Sequence, residues 1–155
     1  MGLDSYLKAT QHISGWEHND GTKSKQFNAA LRMAKLKMSD ISDDSPSGEI
    51  SFNVGYWRKA NAIHSWFVEN CQNGVDDCQT SYVPRNKLET LRDICKQILA
   101  DHSKTALLET KSGFFFGNTE YNEWYFDDLT HTVEVIDKCL SDKFEGFVFH
   151  YHSSW

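Results

Sequence analysis

The stretch ISFNVGYWRKANAIHSWFVENC, residues 50–71, changes its period partway along. Ile50, Phe52, Val54 and Tyr56 alternate with Ser51, Asn53, Gly55 and Trp57, the spacing of two that gives a β-strand its two faces. From Ala60 onward, Ala60, Ile63, Trp66, Phe67 and Cys71 recur within one broad helical sector. The sequence therefore predicts a strand that runs straight into a helix. Gly55, near the strand's end, marks a bulge or a close approach by something else.

Outward from this junction the same two periods recur. Residues 3–14 alternate imperfectly and read as a strand, residues 15–21 as a loop rich in Gly, Asn and Asp. Phe27, Ala30, Leu31, Ala34 and Met38 predict a helix over 25–38. The run SDISDDSPSGE, residues 39–49, holds turn formers and predicts a flexible surface loop. Residues 73–82 read as a polar loop. Asn86 with Glu89 three positions on forms a capping-box pattern ahead of the stripe Leu88, Leu91, Ile94, Cys95, Ile98 and Leu99. Phe114, Phe115 and Phe116 between Gly113 and Gly117 read as a short buried extended run, with Asn118 or Thr119 available to cap the next helix.

That helix, over about 120–141, is expected from Phe126, Leu129, Val133, Ile136 and Leu140. Glu120, Glu123, Asp127 and Asp128 fall in its first turns, where the helix dipole favours carboxylates. Phe147, Phe149 and Tyr151 alternate with Val148, His150 and His152 in a closing strand over 144–155. Strands at both ends and in the middle, with helices between, predict an α+β fold, a small antiparallel or mixed sheet with about four helices packed on it. At 155 residues the chain is expected to form a single domain, 1–155, that buries roughly 70% of its unfolded surface.

Composition narrows the function. A net charge of −6 argues against duplex nucleic acid as a partner, since phosphate neutralisation needs a basic surface. At 14% the aromatic content is high, and rings not needed for the core can stack on flat ligands or form the interface of a homodimer. Cys71, Cys78, Cys95 and Cys139 contain no C-x-x-C pair, and no secretory signal opens the chain, so free thiols in a cytoplasmic setting are expected. No membrane-spanning run is visible. The sequence carries no nucleotide-loop, zinc or nucleophile-elbow motif, so neither a cofactor nor a metal is expected; His150 and His152 share a strand face without a third ligand.

Two clusters carry candidate chemistry. In the first, Arg58 and Lys59 stand at a helix start, where the dipole disfavours cations and free N–H groups attract anions. Trp57, Asn61 and His64 accompany them. The opposing reading pairs the two cations with Glu120 or Asp127 and makes His64 a hydrogen-bonded residue at the edge of the core. In the second cluster Asn118, Thr119, Glu120, Tyr121 and Trp124 lie just after the glycine-bracketed phenylalanines, and Tyr121 and Trp124 stand off the apolar stripe.

The segments YWRKANAIHSWFVEN, SGFFFGNTEYNEWYFDDL and FHYHSSW resemble a family of small, mostly uncharacterised proteins of bacteriophages and their bacterial hosts, in the pattern YWRKAN-IH-WF, SGFFFG-TEYDEWY and FYYQSSW. The likeness runs from MGLD to SSW and departs at Asn122, His150 and His152. It implies a phage setting in the host cytoplasm and a small binding protein that sequesters a nucleotide-derived host immune signal, of the cyclic nucleotide or cyclic ADP-ribose type. The alternatives are a small enzyme acting on such a nucleotide, or an inhibitor that blocks a host defence factor through the loop at 39–49.

Overall fold

A computed structural model of the chain describes residues 2–16, 21–113 and 115–155. The elements are β1 (Asp4–Ser14), α1 (Thr22–Ala34), β2 (Ser47–Arg58), α2 (Asn61–Cys71), β3 (Ser81–Val83), α3 (Arg85–Ala100), α4 (Glu123–Cys139) and β4 (Val148–Ser154), with short 3-10 segments at Met38–Asp40, His102–Leu107 and Asp142–Phe144. The strands form an antiparallel sheet in the order β2-β1-β4-β3, and the fold is α+β. In the β3–β4 pair Tyr82 lies opposite His150 and Val83 opposite Phe149. Among the described residues, no helix is long and apolar enough to cross a membrane.

The chain divides into two compact units, Met1–Ala9 with Phe52–Trp155, and Thr10–Ser51. In the first, the period of two is visible in burial: Ser5, Leu7 and Ala9 are buried while Tyr6 and Lys8 are half-buried, and Phe149, Tyr151 and Ser153 are buried between half-buried His150 and His152. Against this buried face lie the stripes of α2, α3 and α4, including Ile63 and Phe67, Leu88, Leu91 and Ile98, and Leu129 and Ile136. Each such side chain, fully removed from water, contributes about 1.5–3 kcal/mol. The opposite face carries a row of rings, Tyr56 beside Tyr6 (5.3 Å between centroids), Tyr6 stacked on His152 (4.8 Å), and His150 against Tyr82 (6.1 Å).

In the second unit Ile13, Phe27 and Leu31 form a small core with Ala30, Ile41 and Ile50 packed on it. Helix α1 stops at Ala34, short of the expected Met38. Lys35 turns left-handed (φ 58°), and Leu36 N–H donates to Leu31 O, the closure that ends a helix. Within the loop expected at 39–49 the Asp40 carboxylate accepts from Lys37 N–H (2.8 Å), and β2 begins early, at Ser47. Part of the loop expected at 15–21, residues 17–20, lies outside the described residues.

Several expectations need correcting. The faces of β2 are exchanged near its end: Phe52 and Tyr56 are exposed, while Gly55 and Trp57 turn inward. Gly55 is the reason, because a methyl there would meet the Trp57 ring at 2.7 Å and Val135 at 2.8 Å; its missing side chain is the space that α4 and the indole fill. No capping box forms on α3, which starts at Arg85 behind Pro84, so Asn86 is already helical. Arg85 itself donates to the Cys139 and Phe144 carbonyls and sits 5.3 Å over the Phe149 ring.

Phe116 N–H closes back on Gly113 O (3.1 Å), a turn contact that an extended Phe115–Phe116 run would not make, and Phe114 lies outside the described residues. Neither Asn118 nor Thr119 caps α4; Asn122 does, accepting from Trp124 and Tyr125 N–H. Asp127 and Asp128 thus fall in the second turn, beyond the reach of the dipole argument. The buried face of α4 is Tyr125, Leu129, Thr132, Val135, Ile136 and Cys139, so Leu129 and Ile136 hold their expected places while Tyr125, Thr132 and Cys139 stand in place of the expected Phe126, Val133 and Leu140. The strand β3 and the 102–107 turn have no counterpart in the sequence-based expectations; three residues are too few for a period to show.

Candidate functional site

Helix α2 begins without a cap. Its N-cap is Ala60, which has no side-chain acceptor, and the first helical bond is His64 N–H to Ala60 O (3.0 Å). Asn61 N–H turns back to Lys59 O, which leaves the N–H groups of Ala62 and Ile63 with no acceptor among the described residues. Both residues are buried, 4% and 1% exposed. Buried helix starts are normally closed by a Ser, Thr, Asp or Asn oxygen, and its absence here leaves two donors and the positive end of the helix dipole open.

Ala62 and Ile63 are among the residues that line a cleft of about 350 Å³. Arg58 and Lys59 border it, as do Asn61, Thr110, Gly117, Asn118, Glu120 and Asn122, and α4 closes the far wall with Trp124, Tyr125 and Asp128. Lys59 adopts a left-handed backbone (φ 59°), a conformation that costs a non-glycine residue of order 1 kcal/mol. Two bonds hold it there, Lys59 N–H to Leu3 O (2.8 Å) and Asn61 N–H to Lys59 O (2.9 Å), while its aliphatic stem runs close to Gly2 and Gly117. Among the described residues no carboxylate lies within ion-pairing distance of Arg58 or Lys59, so the pairing with Glu120 or Asp127 does not form.

Asn61 is the cleft's fastener. Its amide donates to Phe116 O (3.0 Å) and Asn118 O (2.8 Å), and its carbonyl accepts from Lys111 N–H (2.9 Å), so one buried side chain ties the 111–118 loop to the start of α2. The remaining polar wall is also committed. Thr110 donates to Thr119 O, Asn118 both accepts from Glu120 N–H and donates to its carboxylate, and Tyr125 O–H donates to Leu108 O.

What stays open is short: the Ala62 and Ile63 N–H groups, the two cations, the Trp124 ring, 77% exposed, and the half-buried Asp128 carboxylate. Burial, reinforced by the charge of Asp127, pushes the Asp128 carboxyl up to about 6. A raised carboxylate contributes stability that is full below its unfolded value and lost as pH rises through its folded one. The ionised group is therefore a burden at neutral pH. Asp128→Asn is expected to raise the melting temperature at neutral pH and to flatten the rise in stability that wild type shows between about pH 7 and pH 4; a melting series across that range checks it.

Of the residues singled out in the sequence, Arg58, Lys59, Asn61, Asn118, Glu120 and Trp124 line this cleft, and Trp57, His64, Thr119 and Tyr121 are not among its lining. Trp57 is 2% exposed and donates its indole N–H to Thr132 Oγ1 (2.9 Å). His64 is 1% exposed, its Nε2 bonded to Asp76 (2.9 Å) and its Nδ1 to the Tyr151 hydroxyl (2.7 Å), which donates onward to Ser5 (2.9 Å). Asp76 also accepts from the Trp155 indole (3.1 Å). His64→Leu is expected to cost about 1–3 kcal/mol by removing the buried ring's two hydrogen bonds, to the Tyr151 hydroxyl and to Asp76, while ligand binding at the cleft is unchanged; urea unfolding beside calorimetry checks both halves.

Thr110, Asn122 and Asp128 are polar cleft residues that the sequence alone does not single out as site residues. A signal exists for Asp128, four positions after Trp124 and therefore on the same helical face. The cysteines are free, and burial pushes Cys71 and Cys139 up to about 11 and Cys95 to about 12, which leaves those three thiols inert. Comparison with family models, with curated proteins and with solved structures finds no match for this chain.

Proposed function

We propose that the protein binds a small nucleotide-type ligand in the cleft between the start of α2 and α4, and that it acts by capturing such a molecule. One observation carries the reading: the residues of a buried helix start with no cap line the same cleft as two unpaired cations and an exposed indole. The N–H groups and cations suit a phosphate, and the indole suits a base. At about 350 Å³ the cleft is near the lower end of ligand pockets, roughly 300–1,000 Å³, which fits one base with its phosphate better than two. The resemblance to small phage proteins makes a nucleotide-derived immune signal of the host the natural candidate, with sequestration as the outcome.

Thermal melts against mononucleotides, cyclic dinucleotides and cyclic ADP-ribose isomers test this. A true ligand at ~100 times its dissociation constant adds about 2.7 kcal/mol, or roughly 5–10 °C for a chain of this size. The double reversal Arg58→Glu, Lys59→Glu is expected to abolish the shift and leave the unliganded melt near its original value. No shift with any member of the panel overturns the proposal. A second reading, turnover of the nucleotide, is favoured by the half-buried Asp128, whose carboxyl lies near the pH at which an acid–base group works best. Intact nucleotide recovered from the denatured complex excludes it.

A further inference from the structure

We infer that Asp128 makes this a guanine-reading cleft, its carboxylate accepting the adjacent N1–H and N2–H donors of a guanine whose ring stacks on Trp124. The inference rests on the nucleotide reading of the cleft. It starts from what the cleft leaves unsatisfied. The Asn61, Thr110 and Tyr125 side chains and the Asn118–Glu120 pair are engaged with the chain itself, and the Asn122 carbonyl oxygen caps α4. The Asp128 carboxylate has no donor among the described residues, and it is the only lining acid outside that network.

Trp124 and Asp128 are four positions apart on α4, so their Cβ atoms lie about 5–6 Å apart on one face. A purine stacked on the indole extends its edge over the next turn, where the carboxylate stands. A carboxylate offers two acceptors and no donor. Guanine presents two neighbouring N–H donors on that edge and matches it. Hypoxanthine lacks the exocyclic amine and keeps one of the two. Adenine turns a ring nitrogen, itself an acceptor, toward the carboxylate and leaves the half-buried oxygen unpaired, a mismatch that costs more than a lost contact. The phosphate end falls to the other lining residues with free donors, Arg58 and Lys59 and the Ala62 and Ile63 N–H groups at the start of α2. Burying an unpaired carboxylate burdens the empty protein, and such a burden persists where a ligand makes use of it.

Calorimetry at about pH 8, where Asp128 is ionised, with GMP, IMP, AMP and 2′-deoxy-GMP, and phosphorus NMR with inorganic phosphate, test the assignment. GMP is expected to bind roughly 10- to 100-fold more tightly than AMP, with IMP between them and 2′-deoxy-GMP equal to GMP. In Asp128→Asn the preference collapses while affinity for inorganic phosphate is unchanged. AMP binding as well as GMP, or an undiminished preference in Asp128→Asn, overturns the inference; both comparisons between nucleotides in wild type stand whether or not the variant folds. A loss on removing the 2′-hydroxyl as large as that for AMP also overturns it, because the carboxylate then reads the sugar. If phosphate binds and GMP binds no better than phosphate, this inference fails alone. If neither binds, the anion site fails with it.

Discussion

Trp57→Ala is expected to lower the unfolding free energy by about 3–5 kcal/mol, the usual cost of emptying a buried indole site. Domains are stable by only about 5–15 kcal/mol, so a large part of the margin goes with one side chain. The ring is 2% exposed, lies 6.1 Å from Phe67 and donates to Thr132 Oγ1, which in turn donates to Asp128 O (2.6 Å) one turn earlier in α4. Trp57→Phe keeps most of the apolar area and loses the hydrogen bond, for about 1 kcal/mol beyond the volume change. Urea midpoints separate the two. A Trp57→Phe protein that keeps its stability but loses its ligand contradicts the core assignment and returns the ring to the cleft.

The second large effect is at Asn61. Removing its side chain releases Lys111 N–H and the Phe116 and Asn118 carbonyls, and Asn61→Ala is expected to cost about 2–4 kcal/mol, roughly 1 kcal/mol for each of three bonds. Ligand affinity falls as well, roughly tenfold or more, because the 111–118 wall must then be ordered by the ligand at its own expense. Asn61→Asp discriminates further. It keeps the acceptor for Lys111 N–H but points a carboxylate at two carbonyl oxygens, so it is expected to be no better than alanine. A mild effect in stability with full loss of binding reassigns Asn61 from fastener to direct ligand contact.

The fold class is legible because period two and period 3.6 alternate cleanly along the chain, and α2, α3 and β4 obey their apolar spacing. The faces are harder. In β2 the alternation is real, yet an apolar tally places Phe52 and Tyr56 inside, because it scores Gly55 as polar when its lack of a side chain is what draws Val135 and Trp57 together. In α4, Thr132 displaces Val133 from the core because it serves the Trp57 indole, a pairing 75 residues apart that no local window contains. Arg58 and Lys59 stand out in the sequence as two cations just before a helix start, and both line the cleft. His64 looks equally suggestive, but both its ring nitrogens are satisfied by residues 12 and 87 positions away. Asp128 reads as dipole decoration only while the start of α4 is placed about three residues early, where the acidic residues before Asp127 suggest it.

The alanine at position 60 has one more consequence. An oxygen there, as in Ala60→Ser, is the simplest way to gain stability at this helix, since an N-cap serine contributes about 0.5–2 kcal/mol over alanine. The same oxygen becomes a tethered competitor, occupying the Ala62 and Ile63 N–H groups from within. Any selection for heat resistance alone will therefore tend to close this site from the inside, and resistance to that drift over generations would itself be a record of ligand use.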